Sequence, residues 1–371
     1  MSKRFAFLSL WLLAAACDSP PPTAPDLKPL ADLKAAATVV HAGQSIQAAI
    51  DAATAGSVIQ IEPGIYAEAL TIDKPGLRLV GLGGDGKPGV VIKNPGGVDN
   101  GITVRRNSAG IVLENFTVRD FLENGVILIG VDGFRFSRIT AIKKGEYGLF
   151  PVVSSHGVIE RCTATGHSDA GIYVGQSTDV EVRQSIAHDN VLGIEIENST
   201  RVGVFDNESY HNVVGVMVVL LPGLAVKTSE GVRVLRNRVH DNNVPNFGHP
   251  GELESFVPTG SGILVVGVDR AIIDDNVVTG NQFVGVGLGS TLLLGALAGL
   301  PPEAFADIEP NPDGVRITNN NVTGNGGTSS IPFLPAVDLL WDGSGTNNCW
   351  FANQSGTSVP NPLPACPRGR S

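Results

Sequence analysis

The chain has 371 residues, of which 42% are hydrophobic and 17% are charged, so it can bury a large core and is not a disordered protein. Its formal net charge of −10 argues against nucleic acid or an anionic membrane surface as its main partner. Its 46 glycines indicate many turns.

The N-terminus has the pattern of an export signal. Lys3 and Arg4 precede an apolar run over residues 5–13, and three alanines then lead to Cys17. The run is too short to span a membrane as a stable anchor. Because a cysteine directly follows the small residues, the segment resembles a bacterial lipobox, which implies a lipoprotein signal peptide over residues 1–16 and a lipid on Cys17. We therefore expect export across the inner membrane and anchoring in the bacterial cell envelope, with the membrane and its side left open. The alternative is an ordinary signal peptide with a chance cysteine.

The next segments predict a tether and a cap. Residues 17–38 are rich in proline and alanine, which is typical of an extended tether. Within residues 45–53, Ile46 and Ile50 fall on one helical face, which predicts a helix that closes the N-terminal end of a repeat structure. The repeats themselves are expected over residues 39–345.

A glycine followed by alternating apolar residues recurs from residue 101 onward, mostly every 22 to 24 residues. Each unit contains three short apolar segments, and three short strands per period predict one coil of a parallel β-helix, with about ten coils in all. One interval, of 47 residues, is about two periods long. The glycines are Gly101, Gly125, Gly148, Gly171, Gly193, Gly215, Gly262 and Gly285.

Alternation within the strands assigns their faces, because successive side chains of a strand point in opposite directions. Ile172 and Ile194 are expected to point inward, whereas Tyr173, Glu195 and Met217 are expected to point outward. Three insertions leave the repeat, and long loops on a rigid scaffold often carry specificity. They lie near residues 220–230, 244–260 and 289–313.

Asparagines recur in register at one turn of the repeat. Asparagine tolerates unusual backbone angles and bonds local amides, so we expect these residues to have a structural role. They include Asn190, Asn212, Asn242, Asn281 and Asn325.

A row of ionisable residues four positions before the strand glycines is compatible with a metal site. It contains Lys144, His167, Asp189 and His211, and equivalent positions in adjacent coils lie about 4.8 Å apart. Imidazole suits Zn or Cu, so His167, Asp189 and His211 are candidate metal ligands. The same region could present a general base and a charge stabiliser to a sugar carboxylate, which makes His211, Asp189 and Glu195 candidate catalytic residues. The alternative is a solvated turn row without a function.

The outward row of one strand combines aromatic and acidic side chains. Ligand sites pair aromatic walls with a few placed polar groups, so Phe150, Tyr173, Glu195 and Glu197 are candidates for substrate binding in a sugar-stacking groove. The alternative is that the insertions fold over this row, which continues through Met217, and make a second small core.

The remaining cysteines predict one disulfide. Cys349 and Cys366 bracket a loop rich in Pro, Ser and Asn, and in an oxidising envelope we expect them to pair and to close a C-terminal tail over residues 346–371. Cys162 stands where other repeats have an apolar residue and is expected to be a small buried hydrophobe.

These features resemble the pectin-lyase-like superfamily of right-handed parallel β-helix proteins. The resemblance is carried by QSIQAAIDAATAGSVIQIEPGIYAEALTI and by the coils, and it covers residues 40 to about 345. YGLFPV, SDAGIYVGQS, GIEIENS and RVHDNNVPNF are similar to segments of a family of bacterial envelope β-helix repeat proteins that carry signal or lipoprotein peptides and have no assigned activity. The resemblance implies an all-β fold, a single-stranded right-handed parallel β-helix.

The superfamily includes pectate lyases, polygalacturonases, alginate C5-epimerases and an accessory protein for copper-site maturation. The epimerases carry an Asp-Pro-His-Asp motif after a stretch similar to residues 147–149, whereas this chain has Phe150, Pro151, Val152 and Val153 there. Mannuronan epimerisation is therefore not implied. A lyase would need an Arg or Lys base and calcium-binding carboxylates, and the sequence places neither clearly.

Two functional hypotheses follow. Because no recognised catalytic motif is present, the first is a non-catalytic envelope scaffold or metal-handling accessory that docks a partner protein through residues 244–258. The second is a binder of acidic polysaccharide, or a lyase-like or epimerase-like enzyme acting on it. Loops that bury Phe150 and Tyr173 would favour the scaffold, whereas an open groove with converging cations and carboxylates would favour the enzyme.

Overall fold

The computed structural model describes residues 37–84, 89–142 and 145–367. The predicted signal peptide, Cys17, most of the predicted tether and Lys144 lie outside these ranges. None of the helices in the described ranges is long and apolar enough to cross a membrane.

Strands dominate the described residues, with two short α-helices, α1 (Ile46–Ala52) and α2 (Thr291–Leu297), and two 3₁₀-helices, Leu253–Phe256 and Pro302–Phe305. The strands are β1 (Ala37–Val40), β2 (Val58–Ile61), β3 (Gly64–Ala67), β4 (Leu70–Ile72), β5 (Arg78–Gly81), β6 (Val90–Lys93), β7 (Asn100–Val104), β8 (Ile111–Arg119), β9 (Asn124–Ile129), β10 (Asp132–Ile142), β11 (Tyr147–Val152), β12 (Ser155–Glu160), β13 (Thr163–Thr165), β14 (Ala170–Gly175), β15 (Thr178–Arg183), β16 (Ile186–His188), β17 (Leu192–Glu197), β18 (Gly203–Phe205), β19 (Glu208–Tyr210), β20 (Val214–Val219), β21 (Arg233–Leu235), β22 (Arg238–His240), β23 (Ser261–Val266), β24 (Ile272–Asp274), β25 (Val277–Thr279), β26 (Val284–Gly289), β27 (Arg316–Thr318), β28 (Asn321–Thr323), β29 (Val337–Trp341), β30 (Cys349–Phe351), β31 (Gln354–Ser355) and β32 (Ser358–Val359).

The strands stack in parallel into two sheets. The front sheet contains β4, β7, β9, β11, β14, β17, β20, β23, β26, β29 and β32. The other strands form a back sheet with two faces, because β8 and β10 each pair with strands of both faces. Positive φ angles at Asn115 (61°) and Arg138 (53°) lie within these two strands. This arrangement confirms the predicted right-handed parallel β-helix.

The interior is apolar because every strand points alternate side chains inward. Ile172 lies opposite Ile194, which lies opposite Val216, and all three are completely buried in the core. Cys162 is a free, buried thiol in the same core, as the repeat pattern predicts.

The N-terminal cap forms as the helical pattern predicts. The Ser45 hydroxyl caps α1 by accepting a hydrogen bond from the Ala48 amide at 3.1 Å, and Ile46 and Ile50 are buried. Strand β1 precedes the helix and pairs with β2, so residues 37 and 38, at the end of the segment expected to be a tether, belong to a coil.

The C-terminal end also differs from the sequence expectation. Strands β30, β31 and β32 continue both sheets beyond residue 345, so this segment adds a coil rather than a separate tail. A disulfide joins Cys349 to Cys366 there, with the two Cα atoms 4.6 Å apart.

The interval of 47 residues between Gly215 and Gly262 is one coil, not two. Val214 of β20 pairs directly with Ser261 of β23, so the extra residues form insertions that leave the stack. Glycine spacing alone does not distinguish an additional coil from an inserted loop.

The turn asparagines form ladders at the corners of the coils. Each side-chain oxygen accepts a hydrogen bond from the backbone N–H of the equivalent residue one coil earlier; Asn212 accepts from Asn190 at 2.9 Å. The positive φ angles at these corners belong to the residue before each asparagine, since φ is 57° at Asp189 and 52° at His211. One ladder contains Asn190, Asn212, Asn242, Asn281 and Asn325, and another contains Asn207, Asn237, Asn276, Asn320 and Asn353.

Replacing Asn212 with Ala should lower the free energy of unfolding by about 1–3 kcal/mol for each buried group left without a partner. The Asn212 side chain is completely buried, accepts from Asn190, and donates to Ala187 O and Asn242 Oδ1. Chemical denaturation of the purified chain measures the loss. Asn321→Ala is the control, because that side chain lies on an outer strand face; equal losses in both variants would contradict the ladder's structural role.

Candidate functional site

The outward row of the front sheet is covered by the insertions. Met217 and Leu264 are adjacent in this row and are less than a tenth exposed. Val257, which follows the 3₁₀-helix Leu253–Phe256, and Leu294 of α2 pack into the same second hydrophobic cluster. The alternative in which the insertions make a second small core is therefore the one observed.

This cover changes the roles expected for the aromatic residues. Tyr173 is 3% exposed, and its ring packs against those of Tyr147 and Phe150 with centroids 5.2 and 4.4 Å apart. The predicted open stacking groove on Phe150 and Tyr173 is thus filled by the protein itself. Tyr147, which the outward row does not include, lines the neighbouring cavity instead.

A cavity of about 430 Å³ lies between the front sheet and the insertions. Its volume is in the range of small-molecule sites. Its described lining contains six carboxyl groups and one phenol, and no Lys or Arg. The polar residues are Glu146, Tyr147, Asp169, Glu195, Glu197, Glu252 and Glu254, and the apolar ones are Leu192, Met217, Leu221, Pro222, Leu224, Leu253, Val257 and Leu294.

Asp169 enters the cavity because its coil has one extra residue. Two residues separate His167 from Ala170, whereas one separates the equivalent Asn190 from Leu192. Burial raises the pKa of Asp169 well above its ordinary value, although a hydrogen bond with the Tyr147 side chain lowers it. Nearby carboxylates raise it further. The sequence analysis missed Asp169, since a single inserted residue has no periodic signal.

Glu195 lies at the centre of the acidic group. It stands between Tyr173 and Met217 in register and is only 5% exposed. Burial raises its pKa well above the ordinary value, and the negative charges of Asp169 and Glu197 raise it further. Within the described part of the chain, its carboxyl group makes no hydrogen bond or ion pair.

Glu197 is two residues along the same strand and therefore faces the same side. Burial raises its pKa to about 7, although the Tyr173 hydroxyl, which donates to Glu197 Oε1 at 2.8 Å, lowers it. Glu197 is consequently partly protonated near neutral pH. The pKa of the Tyr147 phenol is raised, mainly by burial, so that group stays a neutral hydrogen-bond donor.

The predicted metal row does not come together. His167 is buried in the corner ladder, where its backbone N–H donates to Asn190 Oδ1 at 3.0 Å, and burial lowers its pKa to about 4. Asp189 and His211 are exposed residues of the turn. Backbone hydrogen bonds pair Asp189 with Gly166 of the earlier coil, so Gly166, and not His167, is their equivalent there. Across the described residues, no group of three or more His, Cys, Asp and Glu side chains could hold a metal ion. Counting four residues back from each glycine had aligned these three residues. The one extra residue in the coil of Asp169 makes that count wrong for His167.

A family model described as "Right handed beta helix region" matches residues 100–292. The A-module of mannuronan C-5 epimerase AlgE4 from Azotobacter vinelandii is a similar solved structure, with a TM-score of 0.60 and 16% identity over 83% of this chain and 90% of that chain. Arthrobacter chlorophenolicus A6 DFA-IIIase, solved without its lid and with GF2, has a TM-score of 0.52 and 14% identity over 85% and 89%. The Dettilon tailspike protein gp208 has a TM-score of 0.51 and 13% identity over 86% and 68%. Such low identities establish a common fold alone.

No curated protein matches the sequence. The cavity is therefore interpreted from its own residues.

Loss of protons from the cavity carboxyl groups should make the protein less stable as pH rises. The folded-state pKa of Glu197, about 7, exceeds its ordinary value of 4.5, so the folded state holds this proton more tightly. The free energy of unfolding should fall between about pH 4.5 and 7 and then level off for this group. Glu197→Gln should reduce that slope in denaturation measurements across the range, while Glu181→Gln, at a solvated ion pair with Arg183, should not. An unchanged slope in Glu197→Gln would show that this carboxyl titrates normally.

Proposed function

The chain belongs to the right-handed β-helix family, and we propose that it is a saccharide-binding protein whose site is the acidic cavity on the front sheet. The convergence of Asp169, Glu195 and Glu197 with Tyr147 in one cavity is the observation that carries this proposal. These groups lie on a rigid sheet and the turn beside it, which suits a preformed site.

The lining has the groups that saccharide recognition needs. Carboxylates accept hydrogen bonds from sugar hydroxyls, and protonated carboxyl groups also donate. Leu224 and Leu253 offer apolar surface to the C–H faces of a sugar ring, while the Tyr147 ring adds an aromatic edge or face. The similar structures named above support this assignment by analogy of fold, since one is a mannuronan epimerase.

The charge of the cavity alters the substrate class expected from the sequence. An acidic polysaccharide would bring its carboxylates beside those of Glu195 and Glu254, with no Lys or Arg in the described lining to compensate. Like charges at close range in a poorly solvated site repel strongly. A neutral or basic saccharide is the better fit.

The cellular setting is part of the proposal. The signal-like N-terminus supports export, and a lipid on Cys17 would tether the β-helix to a membrane of the cell envelope. The loop at residues 244–258, considered as a partner-docking segment, packs Val257 into the second hydrophobic cluster. Its contacts favour a role as the wall of the cavity over a role in docking a partner.

Asp169→Asn should weaken saccharide binding by about tenfold, because the change replaces a carboxyl oxygen that accepts hydrogen bonds with an amide N–H group while keeping the side-chain size. Calorimetric titration of the full chain with oligosaccharides of neutral, basic and acidic composition measures this effect. Glu181→Gln, a carboxylate change far along the coil on a back face, is the matched control. The proposal fails if no oligosaccharide binds, or if both variants bind as the parent does.

Hydrolysis of a glycosidic bond is a second candidate, favoured by the pKa of Glu197, about 7. A protonated Glu197 could give its proton to the glycosidic oxygen as the bond to the anomeric carbon breaks. A second carboxylate would take a proton from the water whose oxygen adds to that carbon.

Hydrolysis predicts new reducing ends when the chain is incubated with a saccharide that binds. Glu197→Gln should abolish their release, because an amide cannot donate a carboxylic proton, but should largely preserve binding. Release that persists in Glu197→Gln would exclude this residue as the acid. No release from any bound saccharide would leave a binding protein without hydrolase activity.

A further inference from the structure

The cavity concentrates carboxyl groups, and no Lys or Arg side chain stands among the residues described in its lining. The carboxyl groups number six, and one of them, Glu146, contacts the His249 ring with Nδ1 3.5 Å from Oε1. The charges of neighbouring carboxylates raise the pKa values of both Asp169 and Glu195 after burial itself has done so. A positive ligand would relieve both effects at once.

The chain pairs the buried glutamates of its back sheet, Glu114 and Glu160, with arginine, whereas buried Asp338 accepts backbone hydrogen bonds instead. Glu160 is 3% exposed and receives hydrogen bonds from Arg135 and Arg183, each at 2.8 Å. Burial raises the pKa of Glu160, but these two arginines lower it below its ordinary value. A buried carboxylate is costly unless it is paired, and pairing by arginine is the solution used on the back sheet.

Glu195 is as buried as Glu160 but has no such partner. It is 5% exposed, it lines the cavity, and its carboxyl group has no hydrogen bond or ion pair within the described residues. Its remaining surface therefore faces the space that a ligand would fill. Unlike Glu160, Glu195 is therefore left for a cation from outside the chain to pair with.

We infer that the ligand of this cavity is an amino sugar or an oligosaccharide of amino sugars, whose ammonium group binds at Glu195. The inference rests on the proposed saccharide function and specifies its substrate class. Glu197 and Asp169 line the same cavity as Glu195 and act on it electrostatically, and the Tyr147 ring in the wall can add a cation–π contact. The sugar ring would lie against the apolar lining.

Two other cations fit less well. No group of three or more acidic, His or Cys side chains in the described residues could hold a metal ion, which disfavours calcium or a transition metal. A small alkylamine would pair with Glu195 but would leave the apolar lining around Leu224 and Leu253 without contacts. An amino sugar uses both parts of the cavity.

The test measures the binding of three oligosaccharides, of equal length and β-1,4 linkage, to the full chain at pH 6.5. One is built of glucosamine, one of N-acetylglucosamine and one of glucose, so the first differs from the others in its ammonium groups. Putrescine and calcium chloride are titrated as non-sugar cations. Calorimetry should show the glucosamine oligomer binding at least about tenfold more tightly than either neutral oligomer, as expected for loss of a charged hydrogen bond.

Variants connect the preference to the cavity. Glu195→Gln should remove most of the advantage that the glucosamine oligomer has over the neutral oligomers, whereas Glu181→Gln should preserve that advantage. Melting temperature confirms that each variant is folded. If Glu195→Gln does not fold, Glu254→Gln provides the same comparison from the insertion side, with a smaller reduction expected.

The outcomes separate the two proposals. Equal or tighter binding of a neutral oligomer overturns the amino-sugar inference and leaves the saccharide function standing. Binding of putrescine or calcium as tight as that of the glucosamine oligomer also overturns the inference, because the sugar then contributes nothing. Absence of binding by every oligosaccharide overturns both proposals.

Discussion

The corner ladders of asparagine side chains are the interaction on which the structure depends. Parallel strands cannot turn tightly without leaving backbone N–H groups unpaired, and inside a narrow coil water does not reach them. Asn212 and its equivalents supply the missing acceptors, each bonding the coil before it. The coils are therefore locked in register, and register decides which side chains of every strand face the core.

A fixed register makes the front sheet a rigid platform for outward groups. Tyr173, Glu195 and Met217 follow one another along it at the spacing of adjacent strands. Toward Met217 the insertions close over apolar neighbours and form a second core. Toward Tyr173 and Glu195 they close over carboxyl groups instead, and this change in side-chain chemistry along one row separates structural packing from a ligand cavity.

The sequence predicted what depends on local period. Strand faces follow from alternation, and the N-terminal cap follows from a helical stripe at Ile46 and Ile50, so both agree with the structure. The metal row at His167 depended on counting from glycines across coils, and one extra residue beside Asp169 moved that histidine into the interior. The cavity could not be predicted, because Glu254 reaches the sheet through contacts between residues distant in sequence.

The two sides of the cavity differ in how they are held, and this difference bears on specificity. Glu195 and Glu197 belong to a strand paired on both sides, so their positions are set by the coil stack. Glu254 comes from the 3₁₀-helix that also leads to Val257, so the packing of Val257 into the second core is what brings this carboxylate to the site. Changes in the insertion can therefore alter the ligand without disturbing the coils. The sheet provides the carboxyl groups with which a ligand must pair, and the insertion determines which ligand can enter the cavity.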